Sequence, residues 1–353
     1  MSNYLNIMFH DDWEVYGDGS GNPDKVMFDP AKRNLDICDS YNVKYTFFAE
    51  FGQQLAMLNS PVSNHRKWAN EWERILKDAI SRGHDVQLHF HPQWIDASFE
   101  RGKWNLNFNK WSLASLNQQE IFLNLKKGKD YLENLLKPVS RKYKIVAFRS
   151  GGWMNQPSNN IYKALIDLDI KAEVSVRPGI IRNMGKIGKI DFSSAPIDKY
   201  YWYANKDDFS KECNKGKIVE IPTYSKEIKS SLPVYLIQKR PSTALYYLNI
   251  FLRNYFYPSS NKAPSILGQN KKNHIYCNFG LLHYLNLIDI VENILKEVNL
   301  QNKLNIPLIM LAHSKSFRSH KNFEKLLEKL NNYEQIEYTS TQDMVLKIMN
   351  SQN

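Results

Sequence analysis

The stretch "GHDVQLHFHPQW", residues 83–94, ends an apolar run with His89 and His91, one residue apart. A strand repeats every two residues, so both imidazoles point one way. Such a pair is either a half-polar strand surface or two metal ligands. Three more polar clusters stand where apolar runs end: His10, Asp11 and Asp12 in "MFHDDWE", Arg149 with Gly151 and Gly152 in "VAFRSGGW", and His313 in "IPLIMLAHSKSF". Two imidazoles and one carboxylate make a three-ligand site with a position open for water, the pattern of catalytic zinc. Such a metal lowers the pKa of water from 15.7 to about 7 and polarises a carbonyl. A second carboxylate can take the water's proton. An arginine can orient that carboxylate through a two-pronged contact. A further histidine can protonate a leaving nitrogen. Together these groups are a kit for metal-assisted hydrolysis of an amide or ester. The residues alone do not say which aspartate does which job. The donor set suits Zn2+ first, with Co2+, Ni2+ or Mn2+ able to occupy it.

Short apolar runs and amphipathic segments must position these groups. Strands are predicted at 5–10, 43–49, 85–91, 144–149, 171–176, 188–193, 218–223 and 307–313. Several are apolar throughout, as in parallel strands buried on both faces. Helices are predicted over 65–82, 117–136, 157–168, 286–299 and 321–331. The second opens with Asn117 and Glu120 spaced as a capping box. The alternation predicts an α/β fold, a distorted (β/α) barrel of mainly parallel strands, in one domain over 1–353. A barrel of this kind needs about 250 residues, which leaves room for loop insertions. The chief one is expected around 226–275, where an aromatic stretch is followed by "PSSNKAPSILGQNKKN".

On these residues the chain resembles the polysaccharide deacetylase (NodB-homology) superfamily, carbohydrate esterase family 4, over about residues 5–330. "FHDD" resembles the family's Thr-Phe-Asp-Asp. "LDICDSYNVKYTFFAE" is similar to its helix leading into a Lys-Ala-Thr-Phe-Phe strand. "GHDVQLHFHP" stands for His-Thr-x-x-His, "FRSGGW" for Arg-x-Pro-x-Gly and "MLAH" for Leu-x-x-His. "DFSSAPIDKYYWY", with Asp191, Asp198 and Trp202, is a loose match to Asp-x-x-Asp-Trp. The resemblance implies a (β/α) barrel that removes acyl groups from N- or O-acetylated sugars. It implies that Asp11 is the general base, tethered by Arg149. Asp12, His89 and His91 become the metal ligands, and His313 the general acid. Two departures stand out: His-x-His takes its second imidazole from the strand, and serine and glycine replace a proline-containing turn. The "QLHxHPxW" form is similar to a subgroup tied to surface-polysaccharide biosynthesis.

Trp13, Trp94, Trp153 and Trp202 follow the polar clusters and are candidate platforms for the apolar faces of a sugar. The alternative is that each fills a loop core. The expected substrate is an N-acetyl sugar, free or nucleotide- or lipid-linked. Rival readings are hydrolysis of another non-peptide C–N bond or an O-acetyl ester, and a non-catalytic carbohydrate-binding protein on the same barrel. The net charge of +11 is spread along the chain, and no nucleic-acid module accompanies it. No leader is expected from "MSNYLNIMFHDDWE", and no apolar run reaches the roughly 18 residues a membrane span needs. The aromatic segment 243–257 is a candidate for peripheral membrane contact, with a buried helix the simpler alternative. Three scattered cysteines fit a reducing, cytoplasmic setting.

Overall fold

The computed structural model describes residues 5–185, 188–248, 273–300 and 305–351. Its centre is β1 (Leu5–Trp13), buried on both faces. Around it lie β2 (Tyr45–Glu50), β3 (Asp85–Phe90), β4 (Ala147–Ser150), β5 (Ala172–Glu173), β6 (Val219–Glu220) and β7 (Ile306–Ala312). They run in the order β6-β5-β4-β3-β2-β1-β7, every pair parallel. Two antiparallel strands, Trp202–Asn205 and Asp208–Glu212, extend the sheet beyond β6, and Ile336–Tyr338 adds to the start of β1. The free edge of β7 meets the chain after β6 through a single bridge, Thr223 to Ile309, and a second bridge joins Asn278 to Leu311. The sheet therefore curls until its ends touch, giving the distorted (β/α) barrel that the alternation of elements predicts.

Helices cover the outside. Ser63–Ser81 buries Trp72, Ile75, Leu76, Ala79 and Ile80, while Trp68 stays half-exposed and donates its Nε1–H to Asp24 at 3.0 Å. Gly83 follows this helix with φ +81°, a left-handed conformation that costs glycine nothing. Gln118–Leu136 carries the expected capping box, with Asn117 and Glu120 each accepting the other's backbone N–H at 2.9 Å. The helices Tyr284–Leu300 and His320–Leu330 fall close to their predicted bounds.

Several segments differ from expectation. Residues 188–193 contribute only Lys189–Asp191, paired antiparallel with Ile181–Asn183 in a hairpin outside the barrel. Gly185 and Gly188, both at positive φ, shape its turn. The helix expected from Pro157 starts at Asn159. The described part of the expected 226–275 insertion holds the pair Ser225–Ile228 and Asn273–Tyr276 and the helix Leu232–Lys239. Residues 249–272, with most of the 243–257 aromatic stretch, lie outside the described residues.

The expected strand 144–149 joins the sheet only from Ala147, because a side chain replaces the ladder before it. Buried Gln87 accepts the N–H groups of Val146 and Ala147, both at 2.9 Å, through one oxygen. Its amide donates to Asp85 and to the Lys144 carbonyl. This suture sets the register in which His89 lies opposite Arg149. Gln87→Leu keeps the volume but strands two buried N–H groups, so it should lower unfolding free energy by about 2–4 kcal/mol in urea titration.

Candidate metal centre and active-site cleft

Alternation along β1 sorts the "HDDWE" residues. His10, Asp12 and Glu14 share the face that meets β3 and β4, because Arg149 contacts the first two and both ligand-type histidines contact the third. Asp11 and Trp13 point the other way.

His89 lies near the end of β3 with its Nδ1–H donated to the Arg149 carbonyl at 2.9 Å. That bond fixes the tautomer and leaves the Nε2 lone pair free. Nε2 is buried and has no hydrogen-bond partner. His91 Nε2 lies 2.8 Å from Glu14 Oε2, and His89 Nε2 lies 3.7 Å from the same oxygen. One ligand atom from each of Glu14, His89 and His91 lies within 4.8 Å of the others. An orphaned imidazole nitrogen beside a second imidazole and a carboxylate fits a divalent cation such as zinc. Supporting bonds hold each donor. The side-chain amide of Gln93 meets His91 Nδ1 at 3.0 Å. Glu50 takes the His91 backbone N–H at 2.8 Å while capping the helix Phe51–Asn59. Lys315 donates to Glu14 Oε1 at 2.7 Å. Burial raises the Glu14 carboxyl, but the charges of His91 and then Lys315 outweigh it and hold it well below the usual range.

Asp12, expected among the ligands, is engaged elsewhere. Arg149 donates from Nη1 to Asp12 Oδ1 at 2.7 Å and from Nη2 to His10 Nδ1 at 2.8 Å. Arginine has no acceptor, so His10 Nδ1 must accept and its Nε2–H donates to Thr341 Oγ1 at 2.8 Å. Burial, and then the charge of Arg149, keep His10 well below its ordinary pKa and hence neutral. Burial pushes Asp12 up, but Arg149, His89 and His313 prevail and leave it lowered. His313 Nε2 stands 3.5 Å from Asp12 Oδ2. Burial takes this imidazole down to about 4.

The Asp11–Arg149 pairing implied by the resemblance is not what the structure contains. Asp11 accepts the Ser314 backbone N–H at 2.8 Å, the Ser314 hydroxyl at 2.5 Å and the Tyr45 hydroxyl at 3.1 Å. It anchors the turn that carries His313. Burial raises it to about 6 despite those bonds.

Asp12, Glu14, His89, His91 and His313 line a cavity of about 260 Å³ also walled by Trp111, Trp153, Tyr276 and Arg182. Of the four expected tryptophan platforms, Trp153 lines it. Trp13 is wholly buried among Phe28, Phe47 and Trp72. Trp94 packs edge-on to Trp104 in the loop after β3. Trp202 is buried with its Nε1–H on the Phe209 carbonyl at 2.9 Å. These three are loop and core fillers, the alternative stated for each. Asp191 lies in the 181–191 hairpin and Asp198 beside another cavity, so the loose fourth motif does not reach the cleft. Trp111, unmarked in the sequence, stands edge-on to His91 with ring centres 5.8 Å apart.

The "SGGW" turn explains its own glycines. A Cβ on Gly151 would fall 2.5 Å from His91 Cγ, and Gly152 has φ +62°. Trp153, a non-glycine, also sits at φ +61°. Such strain in a cleft residue is held only by its surroundings.

No family profile and no curated protein matches the sequence. Among solved structures, the fold is shared with a candidate polysaccharide deacetylase from Mycobacterium smegmatis. The two are 12% identical with a TM-score of 0.50, over 100% of this chain and 92% of that one. It is also shared with a GH57 branching enzyme from Thermococcus kodakaraensis, solved in complex with glucose. There the identity is 12% and the TM-score 0.50, over 98% of this chain and 71% of that one. Two differently named activities on one fold leave the reaction to be argued from the site.

Gly151→Ala should push the His91 ring from its position. Zinc affinity measured by competitive chelator titration should fall about 10–100-fold, the usual effect of disturbing what orients a ligand. Unchanged affinity would mean His91 is not a ligand.

Proposed function

We propose that the protein is a divalent-metal-dependent deacetylase of an N-acetylated sugar, a member of the polysaccharide deacetylase superfamily with a rearranged first motif. The observation that carries this reading is the orphaned Nε2 of His89. It stands beside Glu14 and His91, in the cleft that is also lined by His313 and by Asp12, which Arg149 holds from behind. In this reading Glu14, His89 and His91 hold the metal, and Asp12 rather than Asp11 is the general base. A cation held there would polarise the acetyl carbonyl and acidify a water in its open position.

The chain's own groups do the rest. Arg149 keeps the Asp12 carboxylate ionised and aimed, with its second amino group fixed by neutral His10. Asp12 takes a proton from the attacking water. His313 begins as neutral imidazole and lies 3.5 Å from Asp12, close enough to receive that proton and pass it to the departing nitrogen. Acetate and a free amine result. Asp11 is a positioning residue, which fixes His313 through the Ser314 backbone. Trp111 and Trp153 give the sugar two aromatic walls. Zinc is the cation we favour, and a part in surface-polysaccharide assembly is the setting we favour. No described helix is long and apolar enough to cross a membrane.

Metal content and turnover of three variants test the assignment, with released acetate and free amine both measured. Glu14→Gln should lose metal and activity together. Asp12→Asn should keep its metal and lose about 10²–10⁴-fold in kcat. Asp11→Asn should keep metal and retain more activity than Asp12→Asn. If Asp12→Asn lost the metal and Glu14→Gln kept it, the ligand assignment would be wrong. Acetate without amine would point to an ester substrate instead.

A further inference from the structure

One wall of the cleft holds two arginines that the proposed hydrolysis does not use. Arg182 lines the cavity beside Trp153 and Tyr276. Its Cζ lies 4.6 Å from the centre of the Trp153 ring. Arg177 stands behind, with Cζ 4.3 Å from Trp153 and 3.8 Å from the Tyr276 ring centre. Both are more than nine-tenths buried, at 4% exposure for Arg177 and 8% for Arg182. Among the described residues neither guanidinium meets a carboxylate or makes a side-chain hydrogen bond. Arg177 Nε and Arg182 Nε and Nη1 are buried with no partner.

Buried charges are ordinarily paired, because desolvation is costly and a ring face repays only part of it. Two like charges around one indole add repulsion. Burial first, and Arg182 as a neighbour, lower Arg177 to about 10. The nearest cleft carboxylates are already committed: Asp12 to Arg149, and Glu14 to Lys315 and the imidazoles. Among the described residues no counter-charge is left for these arginines, and an anionic group on a ligand would supply one. Guanidinium nitrogens form a planar fork that matches the oxygens of a phosphate or a carboxylate.

We propose that Arg182, backed by Arg177, is an oxyanion subsite of this cleft, and that the acyl sugar it admits carries a phosphate or carboxylate group. The substrate class rests on the deacetylase reading, whereas the subsite itself does not. Trp153, with its left-handed backbone, lines the same cavity as Glu14, His89 and His91 and carries both guanidinium groups against its ring.

Calorimetric titration of the full-length protein with inorganic phosphate, D-glucuronate and neutral D-glucose tests this without any turnover. At least one of the two anions should bind saturably while glucose does not, and which one binds tells a phosphorylated substrate from an acidic sugar. Arg182→Gln should weaken that binding about tenfold or more, with metal content unchanged, and Arg182→Lys should weaken it less. No saturable binding of either anion by the unaltered protein would overturn the proposal. So would equal affinity in Arg182→Gln, which would place the anion on the metal centre. Intact anion binding in a protein that releases no acetate would sink only the deacetylase reading.

Discussion

Arg149 is the side chain on which the rest of the site depends. Its guanidinium is fully buried in the barrel, with the Asp12 carboxylate as counter-charge, neutral His10 as second acceptor and the Phe48 ring 4.4 Å away. A buried guanidinium cannot shed its proton, so its surroundings must supply the compensation. That requirement fixes Asp12, which stands 3.5 Å from His313. The same residue's carbonyl takes the His89 Nδ1–H and so turns the Nε2 lone pair toward Glu14 and His91. One residue thus sets both the carboxylate proposed as base and a proposed ligand, through side chain and backbone respectively.

The barrel was legible because its strands are apolar throughout and end in polar clusters, and the helices show their stripes and caps. The site was legible in its members but not in their pairing. His89, His91, Arg149 and His313 come together as the four cluster ends imply. The likeness to an adjacent Asp-Asp motif pairs Arg149 with Asp11, whereas the guanidinium bonds Asp12. The signal that separates them lay in the strand period: His10, Asp12 and Glu14 alternate onto one face, with Asp11 and Trp13 on the other. Glu14 follows the apolar run by several residues and bears no local mark, yet β1 runs to Trp13 and sets it beside His89 and His91.

The tryptophans show what a sequence withholds. Nearness in the chain to a polar cluster does not decide on which side of a strand a ring falls. Trp13 alternates into the core beside Trp72, whereas Trp153 is thrown into the cleft by two glycines and its own left-handed backbone. Trp111 reaches His91 from a loop with no local mark of its role. Likewise Gln87, Glu50 and Thr341 are ordinary polar residues in the sequence. Only the folded chain reveals that they suture a strand, hold the His91 backbone and lock the His10 tautomer.

Anomalous diffraction at the zinc edge, from crystals of the zinc-loaded protein, bears most directly on the central claim. The account predicts one peak at roughly 2.0–2.2 Å from Nε2 of His89, Nε2 of His91 and a Glu14 oxygen. Asp12 should remain on Arg149. A peak bonded to Asp12, with Glu14 still held by Lys315 and away from the ion, would contradict it.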